Sequence, residues 1–342
     1  MDTSEFKQQS TDSHHQARKS LAAGKSPSRF GRLFTSLGFH RGYNVPLFII
    51  LAGAMVGFSL ARLQYLDVGR RFREGSSPGE WYWYKTGSRR VGITLHLAGV
   101  IPAGLLMVWQ FVPAIRHRCL LFHRINGYLV ILLLLVGNVG ALMITRRAFG
   151  GDLATQGAVG VLVIYTTTGM ALAYYNVKML QIDQHRAWML RTMVIMGVII
   201  TTRIIMIIAA QVVTAIGSYN VIMSCGVLSS MHGSSYLVEN YANCLSNSRV
   251  LKDGLNIVHV NFGDRAEEIG ASLRIGFGMS LWISIFLHGV GVEVYLALTP
   301  REAQRLREVS YEKQLEAGLE NPGSAGLVIE KFGDADDWKR RR

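Results

Sequence analysis

From Trp188 to Ile216 the sequence is almost continuously apolar, and the run is long enough to cross a bilayer as a single helix. Two charges interrupt it, Arg191 about one turn in and Arg203 near the middle. Backbone inside hydrocarbon has no water to bond to, so a run of this kind folds as helix. A charged side chain at bilayer depth costs about 2.5–3.5 kcal/mol even on the lenient insertion scale. Arg203 therefore faces protein, water or a ligand, and it marks a site.

Other apolar runs share this length. Spans are expected at about 45–61, 91–114, 126–145, 157–177, 188–216 and 273–298, with a long polar loop at 217–272. The chain is 49% hydrophobic and 17% charged, against about 25% charge in a soluble domain. The fold class is all-α: a polytopic membrane helix bundle of about six spans, with seven as the alternative. Residues 1–44 read as a disordered basic tail without the apolar core of a cleavable signal peptide. Residues 299–342 read as a second tail, carrying one short surface helix from Arg301 to about Gly318 and flexible beyond it.

The formal net charge of +13 lies mostly in the tails and short connections. Beside membrane spans such charge sets topology and touches anionic lipid, so no nucleic-acid partner is expected. Basic residues in the N-tail, the 115–125 link, the 178–187 link and the C-tail place both termini in the cytosol. Arg70, Arg71 and Arg73 in the first connection run against that rule, which is why the span count has an alternative. The terminal KRRR loosely resembles endoplasmic reticulum retrieval signals, the expected membrane. Of the three cysteines, Cys225 and Cys244 share the long loop and are free to pair if that loop is lumenal. Trp81, Tyr82, Trp83 and Tyr84 read as an interfacial aromatic belt, or else as a lid over an apolar entrance.

Polar groups recur at particular depths, judged from the ~1.5 Å rise per helical residue. His123, Asp183, His185 and Arg186 fall at the cytosolic ends of their spans. Glu293 falls somewhat inside, with His288 deeper and Arg203 near mid-bilayer; His96 falls near the opposite face. This predicts one cytosol-facing pocket with Arg203 and His288 at its floor. A plain structural account of Arg203 is an ion pair with Glu293. Glu293 is alternatively a protonated acid, because apolar burial raises a carboxyl pKa.

Three readings follow. HLAGVIPAGLLMVWQF from His96 and FHRINGYL around His123 partly resemble the two-haem transmembrane ascorbate-reducible cytochromes, which implies haem b held between histidines. The departure is that the fourth span has no histidine, leaving His123 and His185 for one site at most. Second, His96, the H-R-x-x-G of His123, Arg124 and Gly127, and HRAWMLR ending in Arg191 resemble a widespread family of multi-spanning membrane proteins. The longer layout, with a basic tail, an aromatic first connection and a long loop before the last span, resembles the membrane-bound terpene cyclases of fungal meroterpenoid pathways such as that of ascofuranone. That resemblance implies acid-initiated cyclisation of an epoxidised prenyl chain, an isomerase reaction needing neither metal nor other cofactor, on a hydrophobic substrate taken from the bilayer. Asp183 and Glu293 are then the candidate acids, and His123 and His185 the candidate bases. Trp109, Tyr165, Trp188 and Trp282 are candidate aromatic walls for a developing cation. Arg191, Arg203, His288 and His96 are candidate substrate contacts. Third, the same residues suit a non-enzymatic lipid or small-molecule transporter.

Overall fold

The computed structural model describes residues 44–244 and 254–340. The expected basic N-terminal tail therefore lies outside the described residues, apart from Asn44. Six described helices are long and apolar enough to cross a membrane. They are α1 (Asn44–Arg62), α2 (Gly87–Met107), α3 (Leu120–Ile144), α4 (Leu153–Lys178), the consecutive pair α5 (Ile182–Met196) and α6 (Val198–Ile216), and α7 (Ala266–Ala297). The chain is an all-α polytopic membrane bundle with a small hairpin added. Large apolar residues such as Ile50, Ile164 and Phe286 point outward, as side chains facing lipid do.

An even number of crossings puts Asn44 and the end of α7 on one face, and Tyr295 on α7 donates its hydroxyl to Asn44 Oδ1 at 3.4 Å. We call this the terminal face, and its opposite the loop face. α2 and α3 lie closest together, because glycines remove the side chains between them: a Cβ on Gly140 would run into the His96 backbone, and one on Gly99 into the backbone of α3. Small residues at a membrane helix interface permit this approach and the dispersion contacts it brings.

The fifth span is broken at Gly197, between α5 and α6. His288 on α7 closes the break. Its Nδ1–H donates to the Val194 carbonyl at 2.7 Å, and its Nε2 accepts from the Thr201 hydroxyl at 2.8 Å.

On the loop face, the described residues of 217–265 are neither a span nor a plain loop. Strands β1 (Asn220–Ser224) and β2 (Leu255–His259) pair antiparallel, Asn220 opposite His259 and Ser224 opposite Leu255. Two short helices follow β1, and a disulfide joins Cys225 to Cys244. This cover has its own apolar core of Met223, Val227, Leu228, Leu237, Val258 and Val260. It is fastened to α7 through Glu267, which is fully buried: His232 Nε2 lies 2.6 Å from its carboxyl, and Tyr236 and Tyr241 donate to it at 2.7 and 3.3 Å.

On the terminal face, Pro300 opens a further helix, α8 (Pro300–Glu316). It is docked rather than superficial. Ser310 donates to Asp183 Oδ1 at 3.1 Å and Gln314 Nε2 to the Met179 carbonyl at 2.9 Å. The segment after α8, expected to be flexible, is tied down as well: Gly326 N–H donates to Gln181 Oε1 at 3.1 Å and Leu327 N–H to Asn176 Oδ1 at 2.9 Å.

Candidate active site

The residues expected to share one pocket separate into several groups. On the terminal half, Arg191 of α5 grips Glu293 of α7 through two hydrogen bonds, Nε to Oε1 at 2.6 Å and Nη2 to Oε2 at 3.0 Å. Trp188 lies under the Arg191 guanidinium at 5.0 Å, and Tyr165 of α4 stands beside the pair. Glu293 is therefore a paired carboxylate and not the expected protonated acid, nor is it the partner of Arg203. Asp183 is committed too. Gln181, Gln184 and Ser310 donate to it at 2.7, 3.0 and 3.1 Å, and Arg307 of α8 lies 3.6 Å away. Its position, buried under α8, makes it a hub for docking the C-terminal helix.

His288 has both ring nitrogens engaged at the helix break, so it neither floors a pocket nor has a nitrogen free to ligate haem. His123 and His185 do come together on the terminal half. His96 does not join them; its Nδ1–H donates to the Gly137 carbonyl at 3.0 Å, deep in the α2–α3 contact. Trp282 donates its indole N–H to the Ala154 carbonyl at 3.0 Å, and Trp109 is half exposed at the bundle surface.

Arg203 belongs to a different site, on the loop half. Its guanidinium carbon sits 4.7 Å from the Phe149 ring centroid and 5.7 Å from that of Phe277. The two rings stack on each other at 4.2 Å. No carboxylate lies within 4.0 Å of Arg203 among the described residues; the charged groups near enough to act on it include Glu80 and Arg62. Arg203 is thus half-buried, with its guanidinium against two aromatic rings.

Phe149 is the joint of this site. It has φ 49° and ψ 46°, in the left-handed region that a bulky side chain rarely adopts. Two glycines with positive φ, Gly150 and Gly151, follow it and make the turn between α3 and α4. The conformation aims the Phe149 N–H at Glu80 Oε2, 2.9 Å away, and the ring at Arg203. A strained bulky residue held by both its backbone and its ring is the kind of outlier that points to a functional site.

Glu80 is the group that reading the sequence missed. It precedes the aromatic run Trp81–Tyr84, which forms a short helix with Tyr84 buried and the other three half-buried. Glu80 is 3% exposed. Its Oε1 accepts from Arg274 Nη2 at 3.3 Å, and Tyr84 donates to Oε2 at 3.4 Å. Arg274, on α7, is itself buried, and its Nε has no partner. Burial pushes the Glu80 carboxyl above the ordinary carboxylate range; Arg274, the Phe149 N–H and Tyr84 pull against it without overcoming it. Burial also raises the Tyr84 phenol, with the neighbouring Glu80 charge adding to the effect. Glu302, also outside the spans, moves the other way, held low by its hydrogen bonds to Arg305. The disulfide-bonded cover closes over this site: a Cβ on Gly79 would press on Val227 and Met231 of the cover and on Arg274. The available signal in the sequence was an acid set directly before four aromatics, in a connection that also carries Asp67, Glu74 and several arginines.

Chemically, the site joins a buried carboxyl whose pKa burial raises, donors placed on its two oxygens, and two stacked aromatic rings beside a cation. A family model described as "Predicted membrane protein (DUF2306)" matches residues 93–247, which include Phe149 and Arg203 but not Glu80, Arg274 or Phe277. The chain is also similar to "Ava biosynthesis cluster protein G" of Aspergillus versicolor, 24% identical over 323 residues, covering 80% of this chain and 94% of that protein. No solved structure matches.

Proposed function

We propose that this chain is a membrane-embedded terpene cyclase acting on an epoxidised prenyl chain. The observation that carries the reading is Glu80: a buried carboxyl, raised by its burial, beside the stacked faces of Phe149 and Phe277. Epoxide opening needs a general acid that holds its proton near neutral pH. Glu80 takes that role in place of Asp183 and Glu293. Its proton passes to the epoxide oxygen as the C–O bond at the more substituted carbon breaks. The electron pair of an internal alkene then forms the new C–C bond, moving the positive charge along the chain. Loss of one proton from the last cation restores the atom count, so the reaction is an isomerisation. Arg274, the Phe149 N–H and Tyr84 stabilise the carboxylate left behind. Phe149, beside Glu80, supplies a ring for a developing tertiary cation once Arg203 turns its guanidinium to the substrate oxygen, an attraction of about 2 kcal/mol when desolvated. Arg203 and the unpartnered Nε of Arg274 are the donors proposed to hold a substrate oxygen.

Two further findings support this. The similar Aspergillus versicolor protein is named for a biosynthesis cluster, as a tailoring enzyme would be. The outward apolar surface of the bundle gives a lipophilic substrate a route from the bilayer. The test is conversion of a prenyl epoxide by membranes holding the chain. An acid acts in its protonated form, so the rate should be flat at low pH and fall as pH rises through the elevated Glu80 pKa. A rate that climbed through that range, or no turnover of any prenyl epoxide, would remove the reading.

We place the protein in the endoplasmic reticulum with its terminal face in the cytosol. The Cys225–Cys244 disulfide lies on the loop face, and disulfides persist in oxidising compartments. Cys119 is an exposed free thiol at the start of α3, on the terminal face. In sealed microsomes Cys119 should react with a membrane-impermeant maleimide at once, whereas Cys225 and Cys244 should need both permeabilisation and reductant. Protection of Cys119 until permeabilisation would invert the orientation.

A further inference from the structure

The terminal half holds a second polar niche that the acid chemistry does not use. Gln110 ends the second span, and its Oε1 lies against Gly127 of α3, where a Cβ would meet it at 3.5 Å. Its amide Nε2 is buried with no hydrogen-bond partner. His123 stands one turn before Gly127 on the same face of α3, and its Nδ1 is likewise buried without a partner. His185 of α5 lies near enough to His123 for the two rings to act on each other electrostatically. Its Nδ1 lies 2.9 Å from the Ala173 carbonyl. A carbonyl only accepts, so Nδ1 carries the proton and the neutral ring presents a lone pair at Nε2. Asn126, between His123 and Gly127, is satisfied on the Leu106 carbonyl at 3.0 Å, so the unmet groups are not a general feature of this contact.

We propose that Gln110, His123 and His185 form a binding niche for the hydroxyl group of an apolar ligand. One hydroxyl can donate to the lone pair of His185 Nε2 and accept from the Gln110 amide at the same time. A carboxylate or ketone accepts but cannot donate, and an ammonium donates but cannot accept. Leu121, Phe122 and Ile125 on the same end of α3 are exposed apolar residues, so the ligand body arrives through the bilayer. The niche is separate from Glu80. From His123, α3 runs on to Gly137, whose carbonyl holds His96, a rise of about 20 Å at ~1.5 Å per residue. The hydroxyl has two chemical sources, a phenol with a prenyl tail or an aliphatic alcohol such as a free prenol.

The experiment uses the full-length protein in lipid nanodiscs and three diazirine probes: a farnesylated phenol, its methyl ether, and farnesol. Cross-linked peptides are mapped by mass spectrometry. The phenol should label the starts of α3 and α5 saturably. The methyl ether, which can still accept from Gln110 but cannot donate to His185, should label them about tenfold less, the effect of one lost hydrogen bond. Gln110→Leu should weaken phenol labelling there by a similar factor and leave labelling near Glu80 unchanged. Farnesol labelling as strongly as the phenol assigns the niche to hydroxyls at large, and labelling by the phenol alone assigns it to arenes; both support it. Equal labelling by phenol and methyl ether in the unaltered protein, or no saturable labelling at these helices, overturns it whatever the variant does.

Discussion

Replacing Glu80 by Gln should lower the cyclisation rate by about 10²–10⁴-fold, the usual contribution of a positioned general acid. The amide keeps the size and most hydrogen bonds of the side chain but has no acidic proton. KM should move little, because the proton matters at the transition state and not in binding. Glu80→Asp should restore part of the rate, since it keeps the carboxyl and moves it. Asp183→Asn and Glu293→Gln are the companion variants. Asp183 is held by Gln181, Gln184 and Ser310, and Glu293 by Arg191, so both changes should act on stability far more than on the chemical step. A loss of turnover in either, with Glu80→Gln still active, would move the acid to the terminal face. Unfolding as a cause is separated by the thermal transition of each variant in detergent.

The second large effect is on stability. Glu80 and Arg274 are 3% and 6% exposed and pair at 3.3 Å, joining the first connection to α7. Removing one partner of a buried pair leaves the other charge uncompensated, which costs about 3–5 kcal/mol. Arg274→Met should therefore lower stability by that order, and the double change Glu80→Leu with Arg274→Met should recover much of it. The pH dependence of the unaltered protein follows from the same group. Burial raises the Glu80 pKa in the folded state, so folding favours its protonated form. That contribution is complete below the unfolded-state value and is lost as pH rises through the folded one. Equal stability of the single and double variants would show that the pair does not clasp these elements.

How far the site could be read beforehand differs residue by residue. Arg203 was marked as functional by its position in an apolar run, and the structure sets it against Phe149 and Phe277 with no carboxylate partner among the described residues. Glu293 and Asp183 were read as acids from the resemblance and from depth, and neither says what stands opposite. Arg191 meets Glu293, and a C-terminal helix meets Asp183. Glu80 lay outside every span, in a connection read as an interfacial belt. Its burial depends on α7, the α3–α4 turn and the disulfide-bonded cover, all distant in sequence.

What the sequence by itself determined was the class of molecule: apolar runs of bilayer length, their order, and an arginine that lipid could not accept. Hydropathy is a sum over neighbouring residues, so it survives without knowledge of the fold. Partnership is not such a sum. A helix turns about 100° per residue, so a small rotation or a break such as Gly197 redirects every polar group beyond it. Tertiary packing alone decided that Arg203 and Glu293 lie in different halves of the bundle, and that a carboxyl from a surface connection ends up buried beside Arg203.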